Sequence, residues 1–61
     1  MKAKEVIQLL KADGWVNTSN KGSHRHFTHA IKTGKVTVPY HGSDDLSRPT
    51  LMSIFKQAGW K

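Results

Sequence analysis

The chain has 61 residues, with ten Lys and Arg against four Asp and Glu and no cysteine. That length holds one domain, spanning 1–61, near the lower limit at which a hydrophobic core sustains itself, and the missing thiols exclude disulfides and thiolate zinc sites. A formal charge of +6 points to polyanionic partners, nucleic acid first, though net charge bears on association and not on fold.

No apolar run approaches the ~20 residues of a membrane span. The opening Met1-Lys2-Ala3-Lys4-Glu5 leads into an amphipathic pattern without a signal-peptide core, so a soluble protein is expected, and a chain without cysteine fits the cytoplasm, the expected location. Ala3, Val6, Ile7 and Leu10 fall at helical spacing with Lys4, Gln8 and Lys11 on the other side, which predicts a first helix ending at Asp13-Gly14. Trp15 to Thr18 reads as a strand, and the turn formers Ser19-Asn20-Lys21-Gly22 reverse the chain. The second strand, Ser23 to His29, alternates: with Phe27 inward, Arg25 and Ser23 share its side, while His24, His26 and Thr28 share the other. Lys32-Thr33-Gly34 is a turn, and Lys35 to Pro39 is a third strand with Val36 and Val38 inward, its pairing ended by Pro39.

Tyr40 to Leu46 reads as a loop. Ser47 is the expected N-cap of a last helix, with Pro49 in its first turn, Leu51, Ile54, Phe55 and Ala58 at helical spacing and Gly59 as the stop. The expected fold is α+β in the order α-β-β-β-α, two helices on one face of a three-stranded antiparallel sheet, leaving the other face wet.

The stretch "NKGSHRHF", Asn20 to Phe27, concentrates the polar chemistry. His24 and His26, about 6–7 Å apart at Cα on one strand face, could both ligate a zinc ion. The further ligands would have to be His29, His41 or the Asp44-Asp45 pair, which local spacing does not bring together, so no metal and no cofactor is expected. The cluster suits RNA scission better. Attack by the neighbouring 2′-OH needs a base near neutrality, an acid for the leaving 5′-oxygen and cations for the phosphorane charge. Lys21, Arg25 and Lys35, with the backbone around Gly22 and Ser23, are the candidate phosphate contacts. Trp15, Trp60 and His29 read as packing or surface residues, Asp44-Asp45 as loop residues, and Ser23 lacks the relay of a nucleophilic serine.

The segments "DGW", "KGSHRHF", "GKVTVPYH" and "TLMSIFKQAGW" together resemble the HicA toxins of bacterial type II toxin–antitoxin systems, over nearly the whole chain. The resemblance implies a fold like a double-stranded-RNA-binding domain and an mRNA-cleaving ribonuclease. It further implies one essential histidine, at His24, and a HicB antitoxin as partner. His41 resembles a recurrent family position, read as a loop anchor or a second proton carrier. Relatives usually carry glycine where Pro49 stands and often a basic residue where Met52 stands.

The resulting expectation is a metal-independent endoribonuclease with His24 as general acid/base. Lys21, Gly22, Ser23, Arg25, His26 and Lys35 contact RNA, and an acidic HicB-like protein covers the outer sheet face. The position of His24 directly after a tight glycine turn, beside exposed backbone N–H groups, also favours it over His26. The rival expectations are a non-catalytic RNA-binding module of the same fold and a basic protein that only binds a protein partner.

Overall fold

The computed structural model describes residues 1–40 and 45–60. Helix α1 (Ala3–Ala12) buries Ala3, Val6 and Leu10. At its start Glu5 Oε1 accepts the Lys2 N–H at 2.9 Å, which fills one of the backbone donors a helix N-terminus leaves open. Asp13 caps the other end, and Gly14, at φ 97°, turns the chain into β1 (Trp15–Lys21). β2 (His24–His29), β3 (Val36–Pro39) and α2 (Arg48–Ala58) follow. The order is the expected α-β-β-β-α, and the antiparallel sheet runs β1-β2-β3 with β2 in the centre.

Trp15, Phe27, Val36 and Val38 project from one sheet face and are buried with Ala3, Val6 and Leu10 of α1 and Ile54 and Ala58 of α2. Each large apolar side chain so buried contributes about 1.5–3 kcal/mol relative to exposure. Helix α2 begins after Ser47, whose Oγ donates to Thr50 Oγ1 at 2.9 Å instead of capping the backbone. Pro49 is accommodated in the first turn, where its missing N–H costs nothing, and Gly59 ends the helix at φ 78°.

The helix also closes the β3 edge. Thr37 N–H, directed away from β2, donates to Gln57 Oε1 at 3.0 Å, and Pro39 has no N–H to leave unpaired, so β3 offers little to a further strand. β1, the other edge strand, has no such cover from α2.

The first hairpin differs from expectation. β1 continues to Lys21, which pairs with His24, and the reversal is the two-residue loop Gly22-Ser23. Gly22 takes φ 56°, the left-handed backbone that the first position of such a loop requires. The polar run Ser19-Asn20-Lys21, read from composition as a turn, is therefore strand, because an exposed edge can pair through its backbone whatever its side chains. β2 accordingly starts at His24 and β3 at Val36, one residue later in each case than the expected Ser23 and Lys35.

β1 also contains a bulge. Asn17 pairs with Phe27 and Ser19 with His26, leaving Thr18 as an extra residue. Asn17 Nδ2 holds the irregularity together, donating to His26 O and Asn20 Oδ1 at 3.0 Å and to Ser19 O at 3.3 Å. The bulge reverses the alternation of the strand. Trp15 and Asn17 oppose His29 and Phe27, but beyond Thr18 it is Asn20 that opposes Arg25, while Ser19 and Lys21 oppose His26 and His24.

Candidate functional site

Cross-strand partners share a sheet face, so the register brings Lys21, His24, Pro39, Ser19, His26 and Thr37 together on the face away from the core. His24 is exposed, on the central strand beside the Gly22-Ser23 loop, with Lys21 opposite on β1 and Pro39 opposite on β3. His26 is half-buried, and its Nδ1 lies 3.1 Å from Thr37 Oγ1. That contact fixes the ring while His24 has no comparable tether among the described residues. Beside His24, between β3 and the first turns of α2, lies a hollow of about 340 Å³ lined by Thr37, Pro39, Pro49, Thr50 and Ser53. Two hydroxyl-bearing side chains of α2 and two proline rings therefore share this hollow with His24.

The remaining sequence-derived contacts divide. Ser23 is tied into the ladder through its carbonyl, which accepts the Tyr40 N–H, and Gly22 sits at the tip of the loop. Arg25 is on the opposite face from His24, its guanidinium 4.9 Å above the Tyr40 ring. Lys35 precedes Val36, which pairs with Phe27, whereas His24 pairs with Pro39. At ~3.3 Å per residue Lys35 is roughly 13 Å along the strand from that pair. Of the three cations expected around one phosphate, only Lys21 is next to His24. His41 and Asp44 lie outside the described residues.

Sequence reasoning missed a second cluster at the other end of the sheet. Asp13 Oδ2 accepts from Lys32 Nζ at 2.7 Å and from the indole N–H groups of Trp15 and Trp60, each at 3.1 Å. The Lys32 bond above all, then that of Trp60, holds the Asp13 carboxyl below the usual carboxylate range, against the opposing effect of desolvation. Lys32 Nζ also donates to Ala58 O at 3.1 Å, a cation at the end of α2. His29, expected as a surface residue, is half-buried against Trp15 with ring centroids 5.1 Å apart. Its Nδ1 accepts the backbone N–H groups of Ile31 and Lys32 at 3.0 Å, so Nε2 carries the proton and donates to Asp13 O at 2.7 Å. Both ring nitrogens are spent on structure, on the face away from His24. Among the described residues no three His, Cys, Asp or Glu side chains gather as a metal site would need. The pairing of an Asp-Gly-Trp corner with a closing Gly-Trp was the available signal for this cluster.

A family model described as the HicA toxin of bacterial toxin-antitoxin matches residues 3–60. The chain belongs to the HicA toxin family. No curated protein matches it closely. The match runs from the first residue of α1 to Trp60, one residue past the C-cap of α2, so every element around His24 lies inside it. Membership of a toxin–antitoxin family implies an antitoxin partner. Among the described residues no helix of this HicA-family toxin is long and apolar enough to cross a membrane.

Proposed function

We propose that this HicA-family toxin is an endoribonuclease that cleaves mRNA by general acid/base catalysis at His24, without a metal ion, and that a HicB-like antitoxin neutralises it in the cytoplasm. The observation that carries the reading is the surroundings of His24: an exposed imidazole on an open sheet face, with Lys21 directly opposite, His26 one repeat along and a hollow beside it.

In this reading imidazole takes the proton of a ribose 2′-OH. The 2′-oxygen bonds to the adjacent phosphorus, the P–O5′ bond breaks, and the proton returned to the 5′-oxygen lets it leave as an alcohol. The ends are a 2′,3′-cyclic phosphate and a 5′-OH. Lys21 faces the charge that develops on the phosphorane, and the hollow between β3 and α2 receives the adjoining nucleotide.

His24→Ala should lower RNA cleavage by about 10²–10⁴-fold, the usual contribution of positioned proton transfer, with an unchanged circular-dichroism spectrum because the side chain is exposed. His26→Ala should lose only part of the rate. Both are measured on RNA in EDTA, with DNA of the same sequence as the substrate that lacks the nucleophile. A folded His24→Ala protein that cuts at the wild-type rate removes the assignment. A wild-type protein that binds RNA and never cuts it would instead be a binding module.

A further inference from the structure

The hollow on the other flank of the sheet, where α1 meets the β1–β2 hairpin, has a composition that its position in the fold does not require. It measures about 430 Å³ and is lined by Lys4, Gln8 and Lys11 of α1, Asn17 and Asn20 of β1 and Arg25 of β2, with Tyr40 behind. No carboxylate among the described residues lines it, and the salt bridge seen among those residues, between Lys32 and Asp13, is elsewhere. Three cations thus surround one groove without a counter-charge.

We propose that this groove is a second RNA-binding site, holding single-stranded RNA that continues from the His24 face around the free edge of β1. The proposal rests on the ribonuclease reading for the strand's point of departure, though not for the groove's affinity. Two features favour nucleic acid over an acidic peptide. Arg25 Cζ lies 4.9 Å from the centroid of the Tyr40 ring, and both residues line the groove; guanidinium planes and aromatic rings are the usual platforms for unpaired bases. Gln8 adds an amide that can both donate to and accept from base edges, and Asn20, whose Oδ1 accepts from Asn17 Nδ2, adds amide donors, a mixed pattern suited to base edges.

Continuity comes from the bulge. Because the alternation of β1 reverses at Thr18, consecutive residues Asn20 and Lys21 point to opposite faces at the hairpin end, Asn20 across from Arg25 and Lys21 across from His24. A strand leaving Lys21 reaches Asn20, then Arg25 and the two lysines, by crossing one edge strand. The molecule measures 30 × 25 × 17 Å along its principal axes, so both faces are within reach of one oligonucleotide.

The test measures binding of the full chain to a fluorescein-labelled 2′-O-methyl RNA 16-mer, which has no free 2′-OH to attack, as a function of salt. Lys4→Ala/Lys11→Ala removes two exposed charges from α1 while placing the best helix former at both positions, and circular dichroism checks the fold. The expected result is a log–log salt slope reduced by about 1.4, the loss of two phosphate contacts on a single strand. An unchanged slope overturns the site. An unchanged slope together with lost binding of an octaglutamate peptide overturns it in favour of an acidic protein segment. A chain that binds the 16-mer through these lysines yet fails to cut RNA keeps the groove and rejects the ribonuclease reading, whereas one that cuts RNA with an unaltered slope does the reverse.

Discussion

Asp13 receives three side-chain donors from three separate parts of the chain, and its carboxylate form is what they bind. Its pKa in the folded protein is lowered from the ordinary 3.8. The stabilisation that follows is therefore present in full above that value and is lost as pH falls through the lower, folded value. Urea denaturation at pH 6 and pH 3 should show a smaller acid-induced loss for Asp13→Asn than for the wild type; equal losses would mean that other carboxylates set the acid limit. Gly14 beside it is constrained twice, by φ 97° and by His29 Nε2, which would lie 2.8 Å from an added Cβ. Gly14→Ala should cost about 1–3 kcal/mol, a large share of the roughly 3–9 kcal/mol expected for a domain this small, and a shift of the urea midpoint measures it. The glycine was legible in the sequence as a helix stop. The hub around it was marked only by its two Gly-Trp corners and not as a set of contacts, because Trp60 and Asp13 are 47 residues apart and His29 reaches a carbonyl 16 residues away, partners that no local pattern encodes.

At the scale of elements, apolar periodicity located both helices and the inward residues of β2 and β3, since those strands obey simple alternation. β1 does not. Its seven residues expose all but Trp15, so no apolar pattern marks where the strand ends, and the inserted Thr18 leaves no compositional trace. The consequence for the site is direct: strict alternation from Trp15 would turn Lys21 toward the helices, whereas the bulge turns it toward His24. Asn17 is the residue that stabilises this arrangement, through bonds to two backbone carbonyls and one side chain. Asn17→Ala should destabilise the protein by about 1 kcal/mol for the lost bonds and speed amide exchange locally at the hairpin end from Ser19 to Arg25. Unchanged exchange there would mean that the ladder holds the bulge without its side-chain clamp. The division of Arg25 from His24 was legible from the alternation of β2 alone; the distance of Lys35 needed the register of β3.

For the whole molecule, the decisive asymmetry is that one sheet face carries both helices while the other carries none. The open face holds His24, His26 and Lys21, together with Val16, 60 % exposed, which gives a protein partner an apolar anchor within a basic surface. The formal charge of +6 would draw an acidic partner to it and make association salt-sensitive. If the antitoxin neutralises the toxin by covering this face, the side chain of His24 must become inaccessible. Backbone exchange is a poor probe here, since β2 is already paired on both sides. Carbethoxylation of imidazole by diethyl pyrocarbonate reads the side chain directly. In the free toxin His24 should react readily, and His29, with both nitrogens engaged, should react slowly. In the antitoxin complex His24 labelling should fall at least tenfold while His29 is unchanged. Undiminished labelling of His24 in a complex that no longer cuts RNA would show that inhibition acts from another surface, with the α1 groove the first place to look.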